Sequence, residues 1–593
     1  MKFSNILKDL SIERNDYFYL ALLLVYSVII TALLINFNKD LGIYCSDVFI
    51  YLYNSLVFAR IAFFSNYLYL SPLICFLTSI LFRLGYVSEV SIFIITGIFS
   101  IFSSFGIYAL LKRYFNSIVS LTGAVLFTSF SLNLLWWANG TLDVPAVALS
   151  IWAVLFFILA LDVNPKYFLL AFPLLVLGIF TRYTCLFILP LFLLYYLSKH
   201  DFFYCLDLLI WDRTQFFSKL KEYLKSSEFK YILLGLVLSL AILAIFAYLI
   251  MSFGSQLTFL TQGSTISSGS KGAVNDSAYT TDTLFYLHDF LNFLFSQKVV
   301  FDGIIPNLIG ASYLSYLVLA ILIIGLLIGA YKLFNKYGIN GLISENSKSV
   351  SDSNDKMGLM FKTKYFDLFL KVSFIVSLII AILGFKVNSL ITITFLLVGC
   401  VIAFSLLKGK GFDRQSYSPT IFMLAWFLVY FIFFTFYNIK VNRYIITVFP
   451  AFVYFVCLAL NEILNSLDGL ESLKVNKFNL SNLVPIALII LCLFSAFSFT
   501  GTIEHDTDFN DYKVVSDYLM QYDDDYASKD IAVSKQRQFS WFLRGYTIAV
   551  TVEQTDFLES SNITYYVCDE DMEIKNYRKI YNYKDIFLYE RVN

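Results

Sequence analysis

Long apolar runs alternate with short polar segments from the start of the chain to about Gly501. About 20 consecutive apolar residues suffice to cross a bilayer as a helix, and the first run, residues 17–37, reaches that length. Two shorter runs meet at Arg182 and are also compatible with one interrupted helix. The pattern predicts about thirteen spans, near residues 17–37, 89–111, 118–137, 144–161, 167–180, 184–198, 231–252, 307–331, 365–384, 390–407, 420–436, 444–463 and 483–501.

Lysine and arginine are distributed unequally between the loops that join these spans. If the N-terminus lies in the cytoplasm, most basic residues before the tail fall in inner loops, as the positive-inside rule requires. Two large outer loops, 38–88 and 253–306, then face the other side. The inner segment 338–358 is polar and serine-rich, which is typical of a flexible linker.

The chain changes character after residue 501, so we divide it into a transmembrane catalytic domain, 1–501, and a small soluble domain, 502–593. Residues 508–521 have a helical pattern, and residues 537–543 form a second short helical segment. Strands are expected at 531–533, 547–552, 563–567 and 586–589. An odd number of spans places this α/β domain on the extracytoplasmic side.

Composition supports a multi-pass protein of the cell membrane. Hydrophobic residues make up 59% of the 593 positions, and the mean hydropathy is +0.72. A soluble domain does not have this composition. The formal net charge is zero, so no overall field favours nucleic acid as a partner. The eight cysteines include no CxxC pair, which argues against a zinc site or a disulfide framework.

Asp47 is the first candidate catalytic residue, because it lies in an aromatic segment of the first outer loop. A carboxylate beside a membrane core is costly unless it is hydrated, paired or bound. Asp47 is a candidate general base that takes a proton from an acceptor hydroxyl. Tyr51 follows one helical turn later and is a candidate substrate-binding residue. The alternative is that Asp47 only caps an interfacial helix.

Asp143, at the outer end of a predicted span, is the second candidate. With Asp47 it could hold an acceptor or, if any metal is used, a divalent cation. The alternative is a helix-terminal carboxylate that only stabilises the helix dipole. The sequence leaves both interpretations open.

Basic residues interrupt apolar stretches at the predicted outer face. Arg182, Lys440 and Arg443 suit an anionic lipid head group, since arginine grips phosphate oxygens bidentately. The alternative is ordinary interfacial snorkelling. The remaining substrate-binding candidates are Tyr444 beside Arg443, and His288 with Asp289 in the second outer loop.

The order of these features resembles the GT-C superfamily of membrane glycosyltransferases, in particular the dolichyl-phosphate-mannose–protein mannosyltransferase-like family and its aminoarabinose-transferase relatives. The resemblance runs from about residue 17 to residue 460 and depends on order, spacing and predicted side. The segments that carry it are Asp47 with Tyr51, Ser71-Pro72-Leu73, Leu81-Phe82-Arg83-Leu84-Gly85, Leu142-Asp143-Val144-Pro145, Gly178-Ile179-Phe180-Thr181-Arg182-Tyr183, and Asn442-Arg443-Tyr444 followed by Pro450.

The resemblance implies a GT-C-type helical membrane protein that uses a polyprenyl-phosphate sugar and inverts the anomeric centre in a single displacement. Asp47 would match the catalytic carboxylate and Asp143 the second acid, with Arg182 and Arg443 near the lipid phosphate. The family commonly has glutamate after the catalytic aspartate, whereas this chain has Val48. The acceptor, which is a glycan, lipid or protein, therefore stays open, as does any metal requirement.

Two other functions stay open at this stage. A transporter or flippase of a lipid-linked molecule would carry ionisable groups at mid-span and paired broken helices. The sequence has no internal repeat, and its candidate charges cluster at span ends, which favours surface chemistry. An inactive relative acting in envelope-glycan assembly is the third reading, because of the missing glutamate.

Overall fold

The protein is described by a computed structural model that is mostly helical. The described residues are 3–63, 65, 67–68, 70–200, 202–253, 282–301, 306–343, 364–385, 387–409, 412–437, 439–468, 474–475, 478–479, 482–503 and 509–592. Residues 254–281 of the second predicted outer loop lie outside them. Most of the predicted inner linker does too, although its first residues, 338–343, belong to a helix and not to a linker.

The helices of the membrane region follow the apolar runs closely. They are α1 (Phe3–Asp9), α2 (Asp16–Leu41), α3 (Ser46–Ala59), α4 (Pro72–Arg83), α5 (Glu89–Lys112), α6 (Ser117–Ser129), α7 (Ser131–Leu135), α8 (Asp143–Asp162), α9 (Phe168–Thr181), α10 (Ile188–Lys199), α11 (Phe202–Trp211), α12 (Arg213–Leu224), α13 (Ser227–Ser252), α14 (Phe285–His288), α15 (Phe290–Leu294), α16 (Tyr313–Ile343), α17 (Lys364–Gly384), α18 (Ser389–Gly409), α19 (Arg414–Phe436), α20 (Phe449–Asp468) and α21 (Leu483–Thr500).

Nine helices in the described ranges are long and apolar enough to cross a membrane, and five shorter apolar helices accompany them. Each predicted span overlaps helical residues, but two predictions need correction. The span predicted at 118–137 is divided between α6 and α7, with Phe130 between them. The run predicted at 307–331 begins as a strand. Residues Asn307–Ala311 (β2) pair with Ser296–Val300 (β1) in an antiparallel hairpin, and the helix begins only at Tyr313. An apolar run alone does not distinguish the two conformations.

The first predicted outer loop is folded and buried. Helix α3 has a continuous buried face, including Val48, Leu52 and Leu56. Helix α4 begins with Pro72 at its first turn, where proline has no helical hydrogen bond to lose. These two helices pack together, and α4 also packs against the membrane helices α5 and α9.

The C-terminal region forms a five-stranded mixed sheet with helices against it. Its helices are α22 (Phe509–Tyr522), α23 (Gln536–Leu543) and α24 (Thr555–Ser560), and its strands are Ile531–Val533, Ile548–Ala549, Tyr565–Cys568, Tyr577–Tyr583 and Ile586–Arg591. A second, two-stranded pairing joins Lys474–Val475 to Phe478–Asn479. Sequence analysis predicted four of the five strands and missed Tyr577–Tyr583.

The strand order in the five-stranded sheet explains how a small core is enclosed. Strand 531–533 pairs in parallel with strands 548–549 and 565–568. Strand 586–591 is antiparallel to both 565–568 and 577–583. Strand 531–533 lies second in the sheet and is fully buried, as expected for a strand with neighbours on both edges and cover on its faces.

Helix α23 attaches this sheet domain to the membrane region. The ring of Phe542 lies edge-on to Phe49 of α3 at 5.6 Å between centroids. Trp541 stacks on Phe82 of α4 at 5.8 Å, and its indole Nε1 donates a 2.6 Å hydrogen bond to Glu89 of α5. Buried aromatic contacts of this kind fix the relative position of two elements.

Candidate active site

Asp47 lies in the first turn of α3 and forms ion pairs with two arginines. Arg443 Nη2 donates to Asp47 Oδ2 at 2.6 Å, and Arg537 Nη1 donates to Oδ1 at 3.4 Å. The N-cap position is Cys45, and the helix has no side-chain cap. The Asp47 carboxylate therefore pairs with two arginines and does not cap the helix through a side-chain hydrogen bond.

Asp143 begins helix α8 and is 1% exposed. Arg182 Nη1 contacts its Oδ1, and Arg443 Nε lies 3.6 Å from its Oδ2. Arg443 thus bridges the two candidate carboxylates, because its Nη2 is bound to Asp47. The structure brings together four of the predicted site residues in one ion-pair network.

Both membrane-region arginines occur where helical backbone is interrupted. Arg182 is extended, with φ −154° and ψ 128°, between α9 and a short 3-10 helix, Tyr183–Phe187. Arg443 lies at the start of another 3-10 helix, Asn442–Val448, which leads into α20. A break lets a side chain leave the bundle surface and turn inward, so the polar interruptions seen in the sequence correspond to the geometry of the site.

Aromatic rings cover the two guanidinium groups. Arg182 lies over the ring of Tyr444 at 4.7 Å, and Arg443 lies over Trp136 at 5.5 Å. Cation–π contacts of a planar guanidinium also restrict its orientation. Tyr444, predicted to bind substrate, is in the network through this contact; its direct role with substrate stays a prediction.

The loop before Asp143 is buried and held by hydrogen bonds. Asn139 Nδ2 donates to the hydroxyl of Tyr44 at 2.9 Å, and Thr141 Oγ1 donates to Asn139 Oδ1 at 2.7 Å. Asn139 is 4% exposed, so its side chain is part of the packed interior around this loop. Gly140 has φ +88°, and a Cβ there would lie 2.7 Å from Val48 Cγ1. This packing positions the start of α8 against the start of α3.

Tyr51 lies one turn along α3 from Asp47 and is 9% exposed. Burial raises the pKa of its phenol well above the ordinary value, and the negative charge of Asp47 raises it further. The hydroxyl therefore stays protonated beside the carboxylate. It is suited to donate a hydrogen bond to substrate, which remains a prediction.

Three predicted residues lie in a neighbouring group and not in the ion-pair network. His288 Nδ1 is 3.0 Å from Asp282, and Asp289 accepts a 3.0 Å hydrogen bond from Asn292. Lys440 is buried, and its Nζ donates to the carbonyl oxygens at the end of α19, at 2.8 and 2.9 Å. These contacts give His288, Asp289 and Lys440 structural partners; their predicted roles in binding substrate remain untested.

Arg537 is a site residue that sequence analysis did not identify. It is on α23 in the C-terminal domain, 490 positions from Asp47. The only sequence signal was the amphipathic pattern of the helix, whose aromatic face packs on α3. The ion-pair partner of Arg537 depends on how the C-terminal domain docks on the membrane region, and the sequence does not reveal that docking.

The electrostatic balance at Asp47 favours the ionised form. Burial by itself raises the pKa of this carboxyl, but Arg443, then Arg537 and Arg182, lower it by more, so the net pKa is below its ordinary value. A paired carboxylate is a weak base. Asp47 gains basicity only when these cations are drawn toward another anion.

The same arrangement does not fit a divalent cation held between Asp47 and Asp143. The guanidinium of Arg443 contacts both carboxylates, and its positive charge opposes a metal at that position. Within the described residues there is also no group of three His, Cys, Asp or Glu side chains that could hold a metal ion.

Comparisons with known proteins match this architecture. Residues 69–205 match the family model described as dolichyl-phosphate-mannose-protein mannosyltransferase, a stretch that includes Asp143 and Arg182. The structure of ArnT from Cupriavidus metallidurans bound to undecaprenyl phosphate superimposes with a TM-score of 0.50, at 11% identity over 97% of each chain. The chain has the GT-C fold.

The oligosaccharyltransferase of Archaeoglobus fulgidus in its apo form also aligns with the chain. It aligns with a TM-score of 0.49 and 13% identity, over 93% of this chain and 70% of that one. No curated protein matches the chain in sequence. The GT-C fold and the apolar helices together make this a multi-pass membrane protein with a small C-terminal sheet domain.

Proposed function

We propose that the chain is a membrane glycosyltransferase that moves a sugar from a polyprenyl-phosphate donor to a hydroxyl acceptor at the extracytoplasmic face. The observation that carries the proposal is the network in which Arg443 bridges Asp47 and Asp143. It offers one partly exposed carboxylate as a base and buried guanidinium groups for a phosphate. The family match over residues 69–205 and the GT-C fold support the same reaction class.

In the proposed reaction the acceptor oxygen attacks the anomeric carbon of the sugar while Asp47 takes the hydroxyl proton. The bond from the anomeric carbon to the phosphate oxygen breaks, and the electron pair stays on the polyprenyl phosphate. One displacement inverts the anomeric centre. Negative charge grows on the phosphate as the bond breaks, so arginines placed there stabilise the transition state more than the ground state.

The different exposures of the two carboxylates suggest different roles. Asp47 is 33% exposed, whereas Asp143 is 1% exposed. Only Asp47 is accessible to an acceptor without rearrangement. We assign it the role of base, and we assign to Asp143 the role of orienting Arg182 and Arg443.

The departure from the family pattern at Val48 does not disturb this site. Val48 is fully buried, and its side chain packs against the loop at Gly140, away from the ion pairs. A valine here supports the packing that positions Asp47. The position is thus compatible with an active enzyme, which argues against the inactive-relative interpretation.

The transporter interpretation finds less support in the described residues. Asp47 lies in a helix of the first predicted outer loop, and it pairs with Arg537 of the C-terminal domain. A transport pathway is expected to place such groups near the bilayer midplane. Contact with the C-terminal domain suits a reaction at the membrane surface.

The test is transfer by the full-length protein in lipid. Radiolabelled polyprenyl-phosphate sugars would be supplied with membrane extract as the source of acceptor, and release of sugar from the carrier would be followed. We expect Asp47→Asn to lower turnover by at least about a hundredfold, as for loss of a general base. Asp511→Asn is the control, since Asp511 pairs with Lys584 at 3.1 Å in the C-terminal domain.

The outcomes separate the readings. Normal turnover by Asp47→Asn would place the base elsewhere, and Asp143 and Asp289 would be replaced next. If the protein bound the donor without transferring its sugar, and moved the donor across a sealed vesicle membrane, it would be a flippase and not a transferase.

A further inference from the structure

Arg537 reaches Asp47 because the helix that carries it is anchored to the membrane region. Trp541, Phe542 and Leu543 of α23 are buried, and they contact α3, α4 and α5. The Trp541–Glu89 hydrogen bond is 2.6 Å long. Arg537 is the second residue of the same short helix, and its side chain is exposed. Its position beside Asp47 therefore follows from the packing of this helix on the membrane region.

The two arginines on Asp47 differ in how firmly they are held. The Arg443 side chain is 10% exposed; its Nη1 also lies 2.8 Å from the Cys45 sulfur, and its Nε faces Asp143. The Arg537 side chain is 42% exposed, and its contact with Asp47 is 3.4 Å. Within the part of the chain that the structure describes, Asp47 is its only ion-pair partner. Arg537 is the cation that can change partners at low cost.

The charges of the network also assign a separate task to Arg537. In the membrane region, Asp47 and Asp143 balance Arg182 and Arg443, so the two carboxylates and two guanidiniums sum to zero. Arg537 raises the sum to one positive charge. The surplus comes from the C-terminal domain alone.

We propose that the C-terminal domain completes the phosphate site, with Arg537 leaving Asp47 Oδ1 to bind a phosphate oxygen of the polyprenyl-phosphate donor. This rests on the proposed glycosyl transfer. A donor phosphodiester carries one negative charge, which matches the surplus. When the sugar leaves, the phosphate gains a second negative charge, and Asp47 becomes neutral by taking the acceptor proton. The site then has two surplus positive charges, so the balance is kept throughout the step.

This exchange also links donor binding to the activation of the base. While Arg537 is on Asp47, the carboxylate shares its charge with two cations. Once Arg537 turns to the phosphate, Oδ1 is open for the acceptor hydroxyl. Arg537 is thus a substrate-binding residue toward the phosphate and a positioning residue toward Asp47.

The experiment measures binding and not turnover. Full-length protein in phosphatidylcholine nanodiscs is titrated with a short-chain polyprenyl phosphate and, separately, with the uncharged polyprenol of equal length. Arg537→Gln is compared with Arg537→Lys and with Arg578→Gln. Arg578 is an exposed arginine of the same domain that pairs with Glu590, far from any proposed ligand contact.

We expect Arg537→Gln to weaken polyprenyl phosphate about tenfold, equivalent to about 1.4 kcal/mol, with polyprenol binding unchanged. Arg537→Lys should recover part of the lost affinity, because lysine keeps the positive charge but lacks the forked guanidinium that binds phosphate bidentately. Arg578→Gln should bind both lipids as the native protein does.

Three results would overturn the inference. If Arg537→Gln lost the same affinity for polyprenyl phosphate and for polyprenol, the substitution would only disturb the fold. An unchanged affinity for polyprenyl phosphate in Arg537→Gln would remove Arg537 from the phosphate site while leaving the proposed transferase intact. If the protein bound phosphatidylglycerol nanodiscs as tightly as polyprenyl phosphate, and if this binding also depended on Arg537, then Arg537 would be a general contact for anionic lipid head groups. A native protein that binds no polyprenyl phosphate would instead refute the proposed function, and this inference with it.

Discussion

Replacing the two site carboxylates one at a time should separate catalysis from structure. Asp143→Asn removes the partner of two guanidiniums whose side chains are 17% and 10% exposed. Breaking a buried charge pair by removing one partner costs about 3–5 kcal/mol, because it leaves a buried charge uncompensated. Asp47 is 33% exposed and faces one arginine that is 42% exposed. Water and Arg443's other contacts compensate that loss, so we expect about 1 kcal/mol for Asp47→Asn.

Activity should follow the opposite order. Asp47→Asn is expected to lose the general base and about a hundredfold or more in turnover while the protein remains folded. The assay pairs sugar release from the donor with thermal unfolding of the same samples in lipid. For Asp143→Asn, turnover and unfolding temperature should fall together, and activity should recover in part at low temperature.

A compensating variant tests the reasoning. Asp143→Asn combined with Arg182→Gln removes both members of one pair, so it should be less destabilised than the sum of the two single variants, with a coupling of about 1–3 kcal/mol. Additive losses would show that the pair contributes nothing beyond its parts. An Asp143→Asn protein as stable as the native one, but with turnover as low as that of Asp47→Asn, would contradict the assignment of Asp143 to structure and make it a direct participant.

Three further changes have expected results. Arg537→Gln removes one cation that lowers the pKa of Asp47, so the acid limb of the pH profile of kcat/KM should move to higher pH. An unchanged acid limb would show that Arg537 does not influence the ionisation of Asp47. Gly140→Ala places a Cβ 2.7 Å from a buried valine at φ +88° and should cost about 1–3 kcal/mol in unfolding experiments, more than Gly85→Ala, which has φ +94° and open space. Trp541→Phe removes a hydrogen bond to a carboxylate, so hydrogen exchange across 536–543 should quicken; unchanged exchange would mean that stacking alone holds the domain.

The membrane helices were predictable because apolar length is a local property of the sequence. The interruptions at Arg182 and Arg443 were visible for the same reason, since a charged residue inside an apolar run is costly without a partner. Where the sequence failed, local information was ambiguous. The strand Asn307–Ala311 is followed almost directly by an apolar helix, so the two segments look like one apolar run in the sequence. The strand Tyr577–Tyr583 carries exposed charges at the sheet edge, so it lacks a clean alternation.

The site itself was only half predictable. The candidate residues were visible in the sequence. The sequence did not show whether Asp143 only stabilises the start of its helix or belongs to an ion-pair network, because a carboxylate in the first turn suits both. That question is decided by Arg182 and Arg443, which approach Asp143 from other elements. Arg537 was beyond reach for a stronger reason: its partner depends on how a separate sheet domain docks on α3.

The ion pairs of Asp47 in the absence of substrate lower its basicity, and this controls when the base becomes active. An unpaired carboxylate next to a reactive donor would accept a proton from water as readily as from the acceptor. With its pKa held low by Arg443 and Arg537, Asp47 stays ionised but weakly basic until an anion competes for the guanidiniums. The proposed donor brings that anion in its phosphate. In this scheme the base becomes stronger only when the leaving group is in place, and one of the cations released from it, Arg537, comes from the C-terminal domain.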